Sequence, residues 1–105
     1  NGKDAQARIS KDKGENIKMI KLDDFVKKNK INRIDFIKID VEGFEKNVIE
    51  GGFESIRRFN PIILMEILDS NLKKFSVEVK DIFNLMNKLE YRVIKQRGND
   101  YLFVK

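Results

Sequence analysis

Apolar positions along the chain alternate between short dense runs and wider helical stripes. The run from Ile34 to Phe44, I-D-F-I-K-I-D-V-E-G-F, places Ile34, Phe36, Ile37, Ile39 and Val41 on both parities. That pattern predicts a strand over Ile34–Ile39 buried on both faces, as in a parallel sheet covered by helices on either side. Lys38 interrupts the run, and its long stem can pack while the amine reaches water. The strand delivers Asp40 and Glu42 to its carboxyl end, where Gly43 lets the backbone turn closely into a helix. A second run, Ile62–Ile67 (I-I-L-M-E-I), predicts another such strand with Glu66 close to its carboxyl end.

Between and after these strands the spacing becomes helical. Phe44, Val48 and Ile49 form one stripe that ends at Gly51 and Gly52, and Phe53, Ile56 and Phe59 form a second stopped by Asn60 and Pro61. Asp69, Ser70 and Asn71 predict a loop. Val79, Ile82, Phe83, Met86 and Leu89 then mark the strongest helix, with Ser76 as its expected N-cap. Tyr91–Gln96 and Asp100–Lys105 alternate and are joined through Gly98 and Asn99, which predicts an antiparallel hairpin. Upstream, Ile17–Leu22 reads as a short strand and Asp23 as the N-cap of a brief helix over Asp24–Lys28. Residues 1–16 read as a polar opening segment, with a short extended piece at Ala7–Ile9, ahead of a single domain over 17–105.

The order strand, helix, strand, helix, hairpin predicts an α/β fold: two parallel strands with right-handed crossover helices, then an antiparallel C-terminal hairpin. This is half of a doubly wound sheet. The first confident strand has no equally apolar predecessor to pair with, and an edge position would leave its backbone groups open to aggregation. It is therefore expected to be central in a complete protein. The chain starts at Asn1 rather than Met, and the other half of the sheet is expected to precede it.

Composition narrows the chemistry. With 105 residues, 41% of them hydrophobic, the chain can bury one core. No apolar run approaches the roughly 20 residues of a membrane helix, and no signal peptide is visible. With no Cys, a cytoplasmic setting is expected. The absence of His removes the commonest general base and transition-metal ligand, leaving acid–base work to carboxylates, Lys or Tyr. Lys and Arg number 22 against 17 acidic residues, a net charge of +5, but the basic residues are scattered among acids with no aromatic-interleaved stripe. A nucleic-acid partner is not expected.

In open α/β sheets ligands bind beyond the carboxyl ends of the parallel strands, and sequential strands are commonly neighbours. Asp40, Glu42 and Glu66 are thus the candidate site. Such carboxylates can take a proton from a hydroxyl, hold an amino group or hold a hard cation. Their ordinary alternative is structural: Asp40 as a cap of the next helix, and Glu42 and Glu66 solvated at strand ends.

The segments L-D-D-F (Leu22–Phe25), I-D-F-I-K-I-D-V-E-G-F-E (Ile34–Glu45), V-I-E-G-G (Val48–Gly52) and P-I-I-L-M-E-I (Pro61–Ile67) resemble the carboxyl-terminal half of the FkbM family of S-adenosylmethionine-dependent methyltransferases. The resemblance implies a Rossmann-like methyltransferase sheet with an antiparallel last strand. Ile34–Ile39 corresponds to its fourth strand, Ile62–Ile67 to its fifth and the hairpin to its sixth and seventh. It implies S-adenosylmethionine as cofactor, with Asp40 and Val41 at its methionine end, and O-methylation of a small molecule or glycan. Asp40 is then the first choice for accepting or stabilising the acceptor's proton, with Glu42 and Glu66 as positioning or metal-holding groups; no metal ligand is assigned.

The family's Gly-rich turn after the first strand, and the acidic residue after the second, have no counterpart here. The six glycines (Gly2, Gly14, Gly43, Gly51, Gly52 and Gly98) form no Gly-x-Gly pattern, so tight cofactor binding by this chain alone is not expected. Two other readings use the same residues. Asp40-Val41-Glu42-Gly43 resembles the D-x-D-G of Mg-dependent phosphotransferases of the haloacid dehalogenase type, but with Glu for the second Asp and Phe44 where a Thr is usual. The chain can also be a non-catalytic remnant or interaction module whose exposed strand edge supports a dimer or a complementing chain.

Overall fold

A computed structural model describes the backbone of residues 4–8 and the whole of residues 20–105. Five strands form one sheet in the order β1-β2-β3-β5-β4: β1 (Asp4–Arg8), β2 (Phe36–Asp40), β3 (Ile62–Glu66), β4 (Arg92–Arg97) and β5 (Asp100–Val104). β1, β2 and β3 are parallel, whereas β5 runs antiparallel to both β3 and β4. Among the described residues five helices complete this mixed α/β fold: α1 (Leu22–Lys28), α2 (Glu45–Gly51), α3 (Phe53–Phe59), α4 (Asp69–Lys73) and α5 (Val79–Lys88). No helix among the described residues is long and apolar enough to cross a membrane.

The sheet buries one face. Ile37, Ile39, Ile63, Met65 and Phe103 are fully buried and share a core with Val26, Ile49, Ile56, Leu72, Ile82 and Met86 from all five helices. On the opposite parity Phe36, Leu64 and Leu102 are half-buried, Lys38 is exposed and Ile62 is 43% exposed. Alternation of this kind marks a sheet with one layer of helices upon it. Among the described residues only one face of Ile34–Ile39 and Ile62–Ile67 is covered, where cover on both faces was expected.

The expected order of parallel strands, crossover and hairpin is present, with differences at the upstream end. Asp4–Arg8 in the polar opening segment forms β1, overlapping the extended piece expected at Ala7–Ile9 in Ala7 and Arg8 (Ile9 lies outside the described residues); it pairs with β2 from Asp4↔Phe36 to Arg8↔Asp40, so β2 has neighbours on both sides. Its sequence, D-A-Q-A-R, has no large apolar residue to announce a strand. Of the strand expected over Ile17–Leu22, residues 17–19 lie outside the described residues. Leu22 instead opens α1, because with Phe25 and Val26 it follows helical rather than alternate spacing.

Asp23 does not cap its own helix, whose N-cap position is Lys21. Its carboxylate accepts hydrogen bonds from the N–H groups of Ser55 (2.9 Å) and Glu54 (3.3 Å), in the first turn of α3. The N-cap of α3 is Gly52, which has no side chain to satisfy those amides, so Asp23 supplies the missing acceptor from another helix. Gly52 is also where α1 comes closest: a Cβ there would lie 2.8 Å from Leu22 Cδ2.

Asp69–Asn71, expected as loop, begins α4, which is anchored by the fully buried Leu72. Ser76 is not the N-cap of α5; it turns the chain at φ 57° and sends Val77 into the core. The N-cap is Glu78, two residues beyond Ser76, and the N–H of Glu78 donates to the Asp81 carboxylate at 2.8 Å. The buried Tyr91 hydroxyl donates to the Pro61 carbonyl, joining the start of the hairpin to the start of β3. Burial pushes its phenol pKa upward. At the outer edge β4 bears Arg92, Lys95 and Arg97 with no acid, and a bulge at Val93–Lys95 interrupts its ladder. Both features oppose pairing of that edge with a copy of itself.

The trans-helix cap gives a direct test. Asp23→Ala is expected to lower stability by about 1 kcal/mol, the usual value of an N-cap, in urea unfolding followed by circular dichroism. Unchanged stability would show that the Asp23 contacts contribute nothing.

Candidate functional site

Strand register brings the sequence-predicted carboxylates together. β2 and β3 pair through Ile39↔Met65, so the next residues along, Asp40 and Glu66, end adjacent strands side by side. Glu66 is in turn paired with Asp100 of β5. Directly opposed residues share a face of a sheet, which places Asp40, Glu66 and Asp100 in one row on the face that the helices leave open. Asp100 was not among the expected site residues, because only the antiparallel register of the hairpin takes it there.

Glu66 is the electrostatic centre of this row. Its carboxyl pKa is raised, first by desolvation and then by the negative charges of Asp40, Asp100, Glu45 and Glu42. Like charges and partial burial both disfavour the ionised form, so Glu66 holds a proton more readily than an isolated glutamate.

Beyond Asp40 the chain makes a tight loop. Val41 turns its side chain into the core, Glu42 takes φ 50° with its side chain exposed, and Gly43 takes φ 109°. Only Gly fits the last position: besides the φ, a Cβ would sit 2.3 Å from the Asn71 carbonyl oxygen. Phe44 follows as the N-cap residue of α2 and meets Phe75 edge to face at 5.4 Å between ring centroids.

The structural role considered for Asp40, capping the next helix, is filled by no side chain among the described residues; Glu45, the first residue of α2, bonds back to the loop instead. This carboxylate is 2% exposed and accepts the N–H of Gly43 at 2.9 Å (Oε1) and that of Val41 at 3.4 Å (Oε2). The Val41 carbonyl accepts from the N–H of Phe44 at 3.2 Å, so both backbone polar groups of Val41 are engaged within the loop. Glu45 was missed as a functional candidate. Its one signal was a charged residue next to Phe44 on the stripe expected to pack.

Asp40, Glu42 and Glu66 thus lie within charge range of one another at the carboxyl edge of the parallel strands, with Val41 facing inward. Among the described residues no group of three acidic side chains is arranged to hold a metal ion. The arrangement can accept a proton and attract a cationic group such as an ammonium or sulfonium.

Two substitutions test this geometry. A raised carboxyl pKa in the folded chain means that ionised Glu66 costs stability above its pKa, and that the cost disappears as pH falls below the ordinary carboxylate range. Glu66→Gln is therefore expected to be more stable than the parent at about pH 7, with the gain fading towards about pH 4 in denaturant titrations. A gain that grew on acidification would contradict the sign. Gly43→Ala is expected to lose more than about 2 kcal/mol by the same measurement, since strain and a backbone clash coincide; parent-like stability would refute the close approach to Asn71.

Comparison with known proteins bears on what this edge serves. A model of the Methyltransferase FkbM domain matches residues 2–93, a span that takes in β1 to β3, all five helices and the start of β4. No curated protein and no solved structure matched the chain. With most of its length, including the whole carboxylate loop, inside that match, the chain belongs to the FkbM methyltransferase domain family.

Proposed function

We propose that this chain is the acceptor-side part of an S-adenosylmethionine-dependent O-methyltransferase acting on a hydroxyl of a small molecule or glycan, with the Rossmann-like sheet of such enzymes. The observation that carries the reading is the family match over residues 2–93. The carboxylate row at the open edge supports it, lying where ligands of parallel α/β sheets bind.

The residues present fit one end of the cofactor. Asp40 and Glu42, at the edge and partly or fully exposed, complement the positive charge of an ammonium or sulfonium, whereas the glycines provide no Gly-x-Gly turn for a nucleoside. Bound S-adenosylmethionine supplies a methyl group on a positively charged sulfur, ready for in-line displacement. In this proposal Glu66 takes the proton-accepting role for which Asp40 is the first choice in the sequence, because its raised pKa makes it the stronger base towards the acceptor hydroxyl. Asp40, whose charge helps to raise that pKa, would hold the methionine end of the cofactor. Glu42, exposed on the loop, orients the acceptor. Glu66 would take the proton of the acceptor hydroxyl, and the bound cofactor would supply the methyl group and leave as a neutral thioether.

The test is methyl transfer from radiolabelled S-adenosylmethionine to a panel of hydroxylated small molecules and glycans, using the protein that carries this chain. Label is expected on oxygen, with kcat reduced about 10²-fold or more by Glu66→Gln and by Asp40→Asn. Label on nitrogen or carbon, or variants with undiminished kcat, would overturn the proposal.

A further inference from the structure

We infer that Glu45 is the positioning residue of this site: its buried carboxylate fixes the backbone of the Val41–Gly43 loop and so sets where Asp40 and Glu42 are presented. The inference rests on the reading of Asp40 and Glu42 as site residues. It begins from a buried charge. Glu45 is 2% exposed, and a carboxylate in such a place persists only where hydrogen bonds replace its water. Among the described residues those bonds come from the loop, one to each oxygen: Gly43 N–H to Oε1 and Val41 N–H to Oε2. The loop in return holds two consecutive residues at positive φ, one of them the non-glycine Glu42, a conformation that needs outside support.

That support comes from two sides. Glu45 grips the loop amides from within, while the Asn71 carbonyl and the Phe75 ring close against Gly43 and Phe44 from the segment after β3. The segments that follow Asp40 and Glu66 thereby meet at one junction. Glu45 also adds negative charge to the surroundings of Glu66, so it acts on the row through space as well as through the backbone. It is too buried to meet a substrate itself, which separates positioning from direct participation.

The two oxygens make a graded experiment possible. Glu45→Gln keeps the volume and one acceptor but turns an NH₂ towards the second amide, whereas Glu45→Ala removes both acceptors. Amide hydrogen exchange on this chain is expected to accelerate about tenfold or more at Val41 and Gly43 in Glu45→Ala. In Glu45→Gln the acceleration is expected mainly at Val41, whose bond is the longer, with Ile37 and Ile39 of β2 unchanged in both variants. If Glu45→Ala fails to fold, Glu45→Gln alone decides. Unchanged exchange at Val41 and Gly43, or equal acceleration at Ile37 and Ile39, would overturn the inference. In the methyl-transfer assay, Glu45→Gln is expected to lower kcat about tenfold while KM for S-adenosylmethionine stays within about twofold; full kcat with a loosened loop would also overturn it. Absence of turnover in every protein, the parent included, would count against the methyltransferase reading and leave the exchange result to decide on Glu45.

Discussion

One-sided burial of the sheet is the constraint on which the rest of the structure depends. Side chains alternate along a strand with a period of two, so burying Ile37 and Ile39 with Ile63, Met65 and Phe103 beneath a single layer of helices settles the parity of every neighbour. A slip of one residue would turn the apolar set to solvent and the carboxylates to the core. The opposite parity is thereby left to Asp40, Glu66 and Asp100 at the carboxyl edge. The acidic row is a consequence of how the core packs, and its shared charge raises the pKa of its central member.

A second constraint acts where β2 ends. The chain must leave the sheet, pass two positive-φ residues and start α2 within four residues, in contact with the segment after β3. Gly43 satisfies the steric part and Glu45 the polar part. The same economy operates at α3, where Gly52 gives up a capping side chain to let Leu22 approach and Asp23 supplies the cap from the neighbouring helix. In both places a glycine admits a close contact and a nearby carboxylate satisfies the amides.

Much of this was legible in the chain because it rests on periodicity. β2, β3, α5 and the hairpin follow from runs and stripes, and the adjacency of Asp40 and Glu66 follows from pairing of sequential parallel strands. What was not legible depends on tertiary contact. β1 lacks large apolar residues and is a strand only through its pairing with β2. The amides that donate to Asp23 lie 31 and 32 residues away, beyond any local capping pattern. Asp100 joins the row only through the hairpin's register, and Glu45 reads as an ordinary helix-surface acid until its burial is known. The expectation of two covered faces failed because half-buried Phe36 and Leu64 count as apolar in a pattern even where no layer of the described chain lies over them.

The central claim is that Asp40 and Glu66 stand side by side on the open face and feel each other's charge. The most direct measurement is a titration of the side-chain carboxyl carbons by nuclear magnetic resonance, in the parent chain and in Asp40→Asn. The account predicts that Glu66 titrates above the ordinary glutamate range in the parent and at lower pH once the Asp40 charge is removed. A Glu66 that titrates in the ordinary range and ignores Asp40→Asn would contradict it.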